Sequence, residues 1–202
     1  MIKDFLIINC TGKNDTIALK KDNKFFLKKL QTNIVKYEAL ALTVLDFINE
    51  KNIKIDQKFS ILVNSGPGSF SGIRIALAVA KGIQLVKKLN IYSYNNFLLN
   101  AAPYLKKRED LISIIKTNNF YYFSEGIIDK TYKFSLPKKL DLNHMKMNNL
   151  QVIIPEEIKN DEIINNMDKK KVCIIEYDLK NVDILIENNL LDNKLIKPLY
   201  LS

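Results

Sequence analysis

The sequence predicts an α/β fold of mixed sheets with flanking helices, arranged as two small lobes. Three features carry this reading. The chain opens on short apolar runs separated by turn residues, two long segments of helical period then frame a further apolar run, and a second series of alternating runs begins at Leu111.

Phe5 to Cys10 is the first apolar run and reads as a buried strand; Thr11-Gly12-Lys13-Asn14-Asp15 supplies the small and polar residues of a turn. Thr16 to Lys20 returns, Asp22-Asn23 turns again, and Lys24 to Lys28 makes a third strand, so the N-terminus is an antiparallel meander. From Asn33 to Glu50 the apolar residues recur with helical spacing. Phe59 to Val63 is the next strand, Ser71 to Leu89 a second long helix, Ile91 to Ser93 a short strand, and Asn95 to Ala102 a helix that Pro103 is expected to stop.

Leu111 to Lys116, Phe120 to Ile127 and Thr131 to Ser135 repeat the opening pattern of strands joined by turns. Beyond Pro137 the pattern weakens, with strands expected at Gln151 to Ile154 and Val172 to Glu176 and a helix at Val182 to Leu191. Three antiparallel strands followed by helix, strand, helix, strand describe the ribonuclease-H-like class, because the later strands need crossover helices to run parallel. A doubly wound sheet would begin with alternating strand and helix. The lobes are expected at 1–93 and 94–202, the second shortened and degraded.

Composition bounds the function classes. At 47% hydrophobic residues over 202 positions the chain can bury a core, and with 6 Gly and 5 Pro it has no low-complexity or solenoid signature. Its net charge of +9 favours an acidic partner such as a nucleic acid, but the lysines are scattered, with short clusters only at Lys106-Lys107-Arg108 and Lys169-Lys170-Lys171; a solvated basic surface is the plainer reading. Cys10 and Cys173 lie in apolar surroundings far apart, which argues against a disulfide framework or a zinc site. No basic leader followed by a long apolar stretch opens the sequence, and the apolar helical stretches are interrupted by Lys or Arg, so a reduced, cytoplasmic, soluble protein without a membrane role is expected.

The densest signal is Asn64-Ser65-Gly66-Pro67-Gly68-Ser69-Phe70-Ser71-Gly72-Ile73-Arg74, between a strand and a helix. It lacks the Lys of a phosphate loop, its Gly spacing misses the dinucleotide fingerprint, and no acidic residue follows about twenty positions on. Gly66 and Gly68 permit positive φ, Pro67 stiffens the turn, and Ser69 or Ser71 can cap the helix. Local physics leaves two readings open, a tight strand-to-helix connection or an anion held on the helix amides.

Gly66 to Ile75, Gly-Pro-Gly-Ser-Phe-Ser-Gly-Ile-Arg-Ile, resembles the Gly-Pro-Gly-Ser-Phe-Thr-Gly-Leu-Arg-Ile signature of the bacterial TsaB family, also called YeaZ, in the position where that family carries it. Phe5 to Thr11 resembles the family's first strand, and Pro198-Leu199-Tyr200-Leu201 its Pro-x-Tyr-Leu ending. Two positions depart from the family pattern. Asn9 stands where the family usually has Asp, and Lys116-Thr117-Asn118 where it has Asp-Ala-Arg. In actin-like ATPases a carboxylate in the first strand helps manage a metal and its phosphate, so Asn9 argues against independent ATP hydrolysis.

The resemblance implies an actin-like fold and a non-catalytic accessory role in making threonylcarbamoyladenosine on tRNA. TsaB-like proteins pair through two helices with the catalytic subunit TsaD and can form homodimers without it; TsaD holds the metal and the adenylate, and the ATPase TsaE joins them. ATP or adenylate and metal are therefore expected in the partner, with none bound by the chain alone, and tRNA is met through the complex. The helix residues support this independently. In Ser71 to Leu89 the polar positions Arg74, Lys81 and Lys88 form a narrow stripe and the remainder is apolar, wider than one sheet needs, and Asn33 to Glu50 is similar. The partner interface is expected on Tyr37, Leu40, Ala41, Val44, Ile73, Ala76, Leu77, Ala80 and Ile83, unless the second lobe covers the surplus.

Other chemistry has little support. His144 is the sole histidine and has no ligand or triad companions nearby; Ser69 and Ser71 lack a nucleophile elbow; Glu156-Glu157 and Asp161-Glu162 suit a solvated helix start; Tyr121, Tyr122 and Phe123 suit a strand with at least one ring inward. Two alternatives stay open, a free-standing actin-like nucleotide-binding enzyme and a basic tRNA-binding protein.

Overall fold

The computed structural model describes residues 2–12, 14–30, 39–117, 119–141, 150–193 and 197–201. Tyr37, Asn118 and His144 lie outside the described residues. The chain forms two compact units, one of Met1–Asn95 with Leu191–Tyr200 and one centred on Asn96–Leu190.

In the first unit, β1 (Phe5–Asn9), β2 (Thr16–Lys21) and β3 (Lys24–Lys29) form the antiparallel meander. Asp22 and Asn23, both at positive φ, connect β2 and β3 in the two-residue turn whose twist matches a hairpin. β4 (Ser60–Asn64) runs parallel to β1 and β5 (Asn90–Tyr94) parallel to β4, giving the order β3-β2-β1-β4-β5. Parallel neighbours need crossovers, supplied by α1 (Leu40–Glu50) and α2 (Phe70–Lys87). Both helices pack on Leu6, Ile8, Ile17, Leu19, Ile61 and Val63, one alternating face of the strands. Phe5, Ile7, Ala18 and Leu62 on the opposite face are also buried, which is why β1 and β4 read as continuous apolar runs.

The second unit repeats the plan. β6 (Leu111–Thr117), β7 (Phe120–Asp129) and β8 (Thr131–Phe134) are antiparallel, β10 (Gln151–Pro155) is parallel to β6, β11 (Val172–Ile175) is parallel to β10, and β9 (Lys138–Lys139) pairs with β7. The reduction expected here falls on helices. Among the described residues, α3 (Asn96–Ala101), α4 (Glu162–Asn165) and α5 (Val182–Glu187) are 6, 4 and 6 residues long. The α-helix ends at Ala101, just before Pro103 as expected, and the chain continues past it as a tighter turn. Pro103 sits at the start of this 3-10 turn over Ala102–Lys107, where its fixed φ fits and its missing N–H costs nothing, and left-handed Arg108 ends the run. Among the described residues no helix is long and apolar enough to cross a membrane.

Candidate partner interface and glycine loop

Ser69 caps α2, its Oγ accepting from the Gly72 amide at 3.2 Å. The Ser69 amide donates to the Thr11 carbonyl at 2.8 Å, and Gly68 lies so close to Thr11 that a Cβ would strike that carbonyl. Only Gly66 of the two loop glycines uses positive φ, at 111°; Gly68 is needed for close approach. Gly66 donates to Asn64 Oδ1 at 2.9 Å, following a peptide that leads into a cis Pro67.

The segment ending at Tyr200 returns onto this loop. Leu199 donates its amide to the Ser65 carbonyl at 2.7 Å, and Ser65 in turn is fixed to the Tyr94 carbonyl through both its amide and its hydroxyl. Tyr200 stacks on Phe70 with ring centroids 5.2 Å apart, and the Arg74 guanidinium lies 4.8 Å from the Phe70 centroid. Of the predicted loop residues, Phe70 thus meets the returning segment directly, and Arg74 lies against the Phe70 ring.

A metal with its phosphate does not fit between the loop and the β1–β2 turn. Asn9 is fully buried and donates Nδ2 to the Asn14 carbonyl at 2.7 Å, while its Oδ1 accepts from Thr11 Oγ1 at 3.3 Å. Gly12 donates to Asp15 Oδ1 at 2.6 Å. The first-strand position is a neutral clamp on its own turn, and the Ser69 and Gly72 amides are already engaged within the protein. Asn9 as a structural donor was not foreseen; the buried amide beside an Asn-Asp turn is the signal that could have found it. Among the described residues, no group of three or more His, Cys, Asp or Glu side chains is placed to hold a metal ion.

The helix faces require a correction. Leu40, Val44, Ile73, Ala76, Leu77 and Ala80, expected at a partner interface, are buried in the first unit's own core, and Ile83 packs partly against it. Ile73, Ala76, Leu77 and Ala80 form the i, i+3, i+4, i+7 stripe of α2 and Leu40 and Val44 an i, i+4 pair on α1, and both lie on the sheet. Ala41 alone of the described set is exposed. The surplus apolar surface is on the opposite side. Leu42, Leu85 and Val86 are 65%, 79% and 80% exposed, Leu45 is also exposed, and Ala78 and Gly82 present little or no side chain between them. A Cβ on Gly82 would meet nothing within 4 Å, so the backbone of α2 is open to close approach here. Fully covering each large side chain on this face is worth about 1.5–3 kcal/mol.

The remaining candidates are structural. Lys116 Nζ and Tyr121 Oη both reach Asp161 Oδ2, at 2.9 and 2.6 Å. The bond to Asp161, then the neighbouring Tyr121, raises the Lys116 pKa; burial, then Asp161, raises that of Tyr121. Cys10 and Cys173 are free thiols, and burial followed by nearby Asp15 pushes Cys10 upward.

No family model matches the chain. Over 123 residues it is 31% identical to the tRNA threonylcarbamoyladenosine biosynthesis protein TsaB of Buchnera aphidicola subsp. Baizongia pistaciae (strain Bp), a match covering 58% of this chain and 55% of that protein. The chain thus spans about half the length of that curated relative. YeaZ from Pseudomonas aeruginosa superposes with a TM-score of 0.68 over 98% of this chain and 100% of its own, at 13% identity. A structure titled as an uncharacterized protein with similarity to peptidase YEAZ from Pseudomonas aeruginosa gives 0.71 over 99% and 100%, also at 13% identity. At that identity the structures establish the fold, which is the actin-like, ribonuclease-H-like arrangement predicted. With the fold matched end to end and the sequence matched in part, the resemblance of this chain to the TsaB (YeaZ) family is borne out.

Proposed function

We propose that the chain is a non-catalytic, cytoplasmic partner subunit in tRNA threonylcarbamoyladenosine synthesis, seating a TsaD-like catalytic subunit on the outer face of α1 and α2. The observation that supports this is the exposure of Leu42, Leu45, Leu85 and Val86 opposite a fully formed core stripe. A face of this kind stabilises an assembly far more than it stabilises the monomer. ATP or adenylate and metal belong to the partner, a TsaE-like ATPase joins the pair, and tRNA is met in the complex. A second copy of the chain uses the same face when the partner is absent. The closed contact between Thr11 and Ser69 supports an accessory role over a free-standing nucleotide-binding enzyme.

The test is co-purification with the cognate TsaD-like subunit, comparing the parent with L42E/L85E. The parent is expected to retain the partner; the variant is expected to lose it while melting within about 0.5 kcal/mol of the parent, as exposed substitutions do. Retention by the variant, or no association by the parent, defeats the proposal. ATP turnover by the chain alone would favour the enzyme reading.

A further inference from the structure

The two basic clusters, Lys106-Lys107-Arg108 and Lys169-Lys170-Lys171, stand far apart in the sequence, and each lies just before a strand of the same sheet. β10 lies between β6 and β11 and runs parallel to both, with Gln151 opposite Leu111 and Val152 opposite Val172. Parallel strands begin at the same end, so the topology delivers both clusters to one edge. Two interstrand spacings put the points where the chain enters β6 and β11 about 10 Å apart. Hydrogen bonds fix that register: Gln151 donates to the Asp110 carbonyl at 3.3 Å and Val152 to the Lys171 carbonyl at 2.8 Å.

Beside the first cluster, Lys107 Nζ lies 5.2 Å from the Tyr104 ring centroid. Lys106, Lys107, Arg108, Lys169 and Lys170 are exposed and Lys171 is half-buried. Among the described residues none of these six cations forms an ion pair. The carboxylates next to the clusters in sequence are Glu109, Asp110 and Asp168, of which Asp110 accepts from the Ile128 amide and Asp168 from the Lys170 amide, while Asp129 beyond Ile128 is paired with Lys133. Six cations against these three carboxylates leave the edge positive, and Lys107 lies over the half-buried Tyr104 ring.

We propose that this edge of the second unit is a contact for the phosphate backbone of RNA and, resting on the function proposed above, for the tRNA substrate. Lysine and arginine side chains bind phosphates irrespective of sequence, releasing counterions as they do.

The test is tRNA binding by the full chain, followed by anisotropy across a salt series. K106Q/K107Q and K169Q/K170Q are each expected to weaken binding about tenfold at about 50 mM salt and to lower the slope of log affinity against log salt by about 1–2, with both effects larger in the quadruple variant. K24Q/K58Q, which removes the same charge from exposed positions of the first unit, is expected to stay within about twofold, since a cation that meets no phosphate leaves the slope unchanged. Equal weakening by K24Q/K58Q, parental affinity in a folded quadruple variant, or binding to anionic phosphatidylserine vesicles without binding to tRNA overturns the proposal. The quadruple variant still co-purifies with the TsaD-like subunit if the helix face is the partner site. Failure of that association with the RNA effects intact falls on the function reading, and the reverse pattern falls on the basic edge.

Discussion

The Ser69 amide donates to the Thr11 carbonyl at 2.8 Å, and this bond joins the glycine loop to the turn that follows β1. Any group placed between the two turns would have to displace it. The same approach explains why position 68 carries no side chain, since the Thr11 backbone occupies the space a Cβ needs. Closure on one side of the loop and the returning Leu199–Tyr200 segment on the other make the loop a rigid start for α2, which presents the proposed partner face.

Gly68 and Gly82 should therefore respond oppositely to alanine. Gly68→Ala forces the loop off Thr11 and is expected to cost about 2 kcal/mol or more, in the range of substitutions that break a close backbone approach. Gly82→Ala, in the interior of α2 with open space around it, is expected to gain about 0.5–1 kcal/mol. Urea melts of the isolated chain check both, and a stabilising Gly68→Ala would remove the close-contact argument.

Asn9→Asp tests the neutral clamp. An ionised carboxylate cannot donate to the Asn14 carbonyl and would sit buried against it, so a loss of about 2–3 kcal/mol is expected at pH 7. Burial raises the introduced carboxyl's folded pKa above its unfolded value, so the loss is complete at high pH and recedes as pH falls toward the unfolded pKa. Melts of parent and variant at pH 7 and pH 5 should show a narrower gap at pH 5; a constant gap would mean that charge is not the cause.

Strand order and the two long helices were legible because alternation and helical spacing leave marks that tertiary context rarely erases. The Ser69 cap was legible from its place before an apolar helix. The inward face of α2 was not. Ala76 and Ala80 on one side and Ala78 and Gly82 on the other are equally small, and both sides are apolar, so only packing on Leu6, Ile8, Ile61 and Val63 decides which side is buried. β9, a pairing of Lys138 and Lys139 with Phe123 and Tyr122, is too short and too polar to show a period. Asn9 read as a missing carboxylate because its partner, the Asn14 carbonyl, is backbone and invisible in sequence.

Tyr200→Ala is expected to loosen the returning segment without disturbing the core. The stack on Phe70 is exposed, so the global loss should be about 0.5–1.5 kcal/mol. The sharper readout is hydrogen exchange at the Leu199 amide, which is bonded to the Ser65 carbonyl and should exchange faster in the variant, while amides of β1 and β4 keep their parental protection. An unchanged Leu199 amide would show that the stack does not hold the segment.

At the start of β1, Asp4 accepts from Lys21 Nζ at 2.7 Å and from the Asp22 amide at 3.1 Å, tying the strand to the β2–β3 turn. Burial works to raise the Asp4 pKa, but the bonds to Lys21 and Asp22 outweigh it and hold the carboxyl below its ordinary value. With the folded value below the unfolded one, the stabilising contribution is present above about pH 4 and is lost as pH falls through the folded pKa. Asp4→Asn should be less stable than the parent at pH 7 and converge with it in acid. A gap that persists at pH 2 would rule out the ionic origin.

The Lys116, Tyr121 and Asp161 cluster carries the opposite pH dependence. The bond to Asp161, then the neighbouring Tyr121, raises Lys116 above the usual lysine value, and burial, then Asp161, raises Tyr121 above the usual tyrosine value. Folded values above unfolded ones place the contribution below about pH 10, with loss as pH climbs through the folded values. Lys116 is the one of these neighbours that favours the phenolate, so removing it leaves burial and Asp161 unopposed. In Lys116→Met, Tyr121 should therefore titrate at a still higher pH, read as the phenolate absorbance that disappears when Tyr121→Phe is added. A midpoint that stays fixed or moves down would show that Lys116 does not face Tyr121 in solution, and with it would go the bond pairing β6 and β7 to Asp161 at the start of α4.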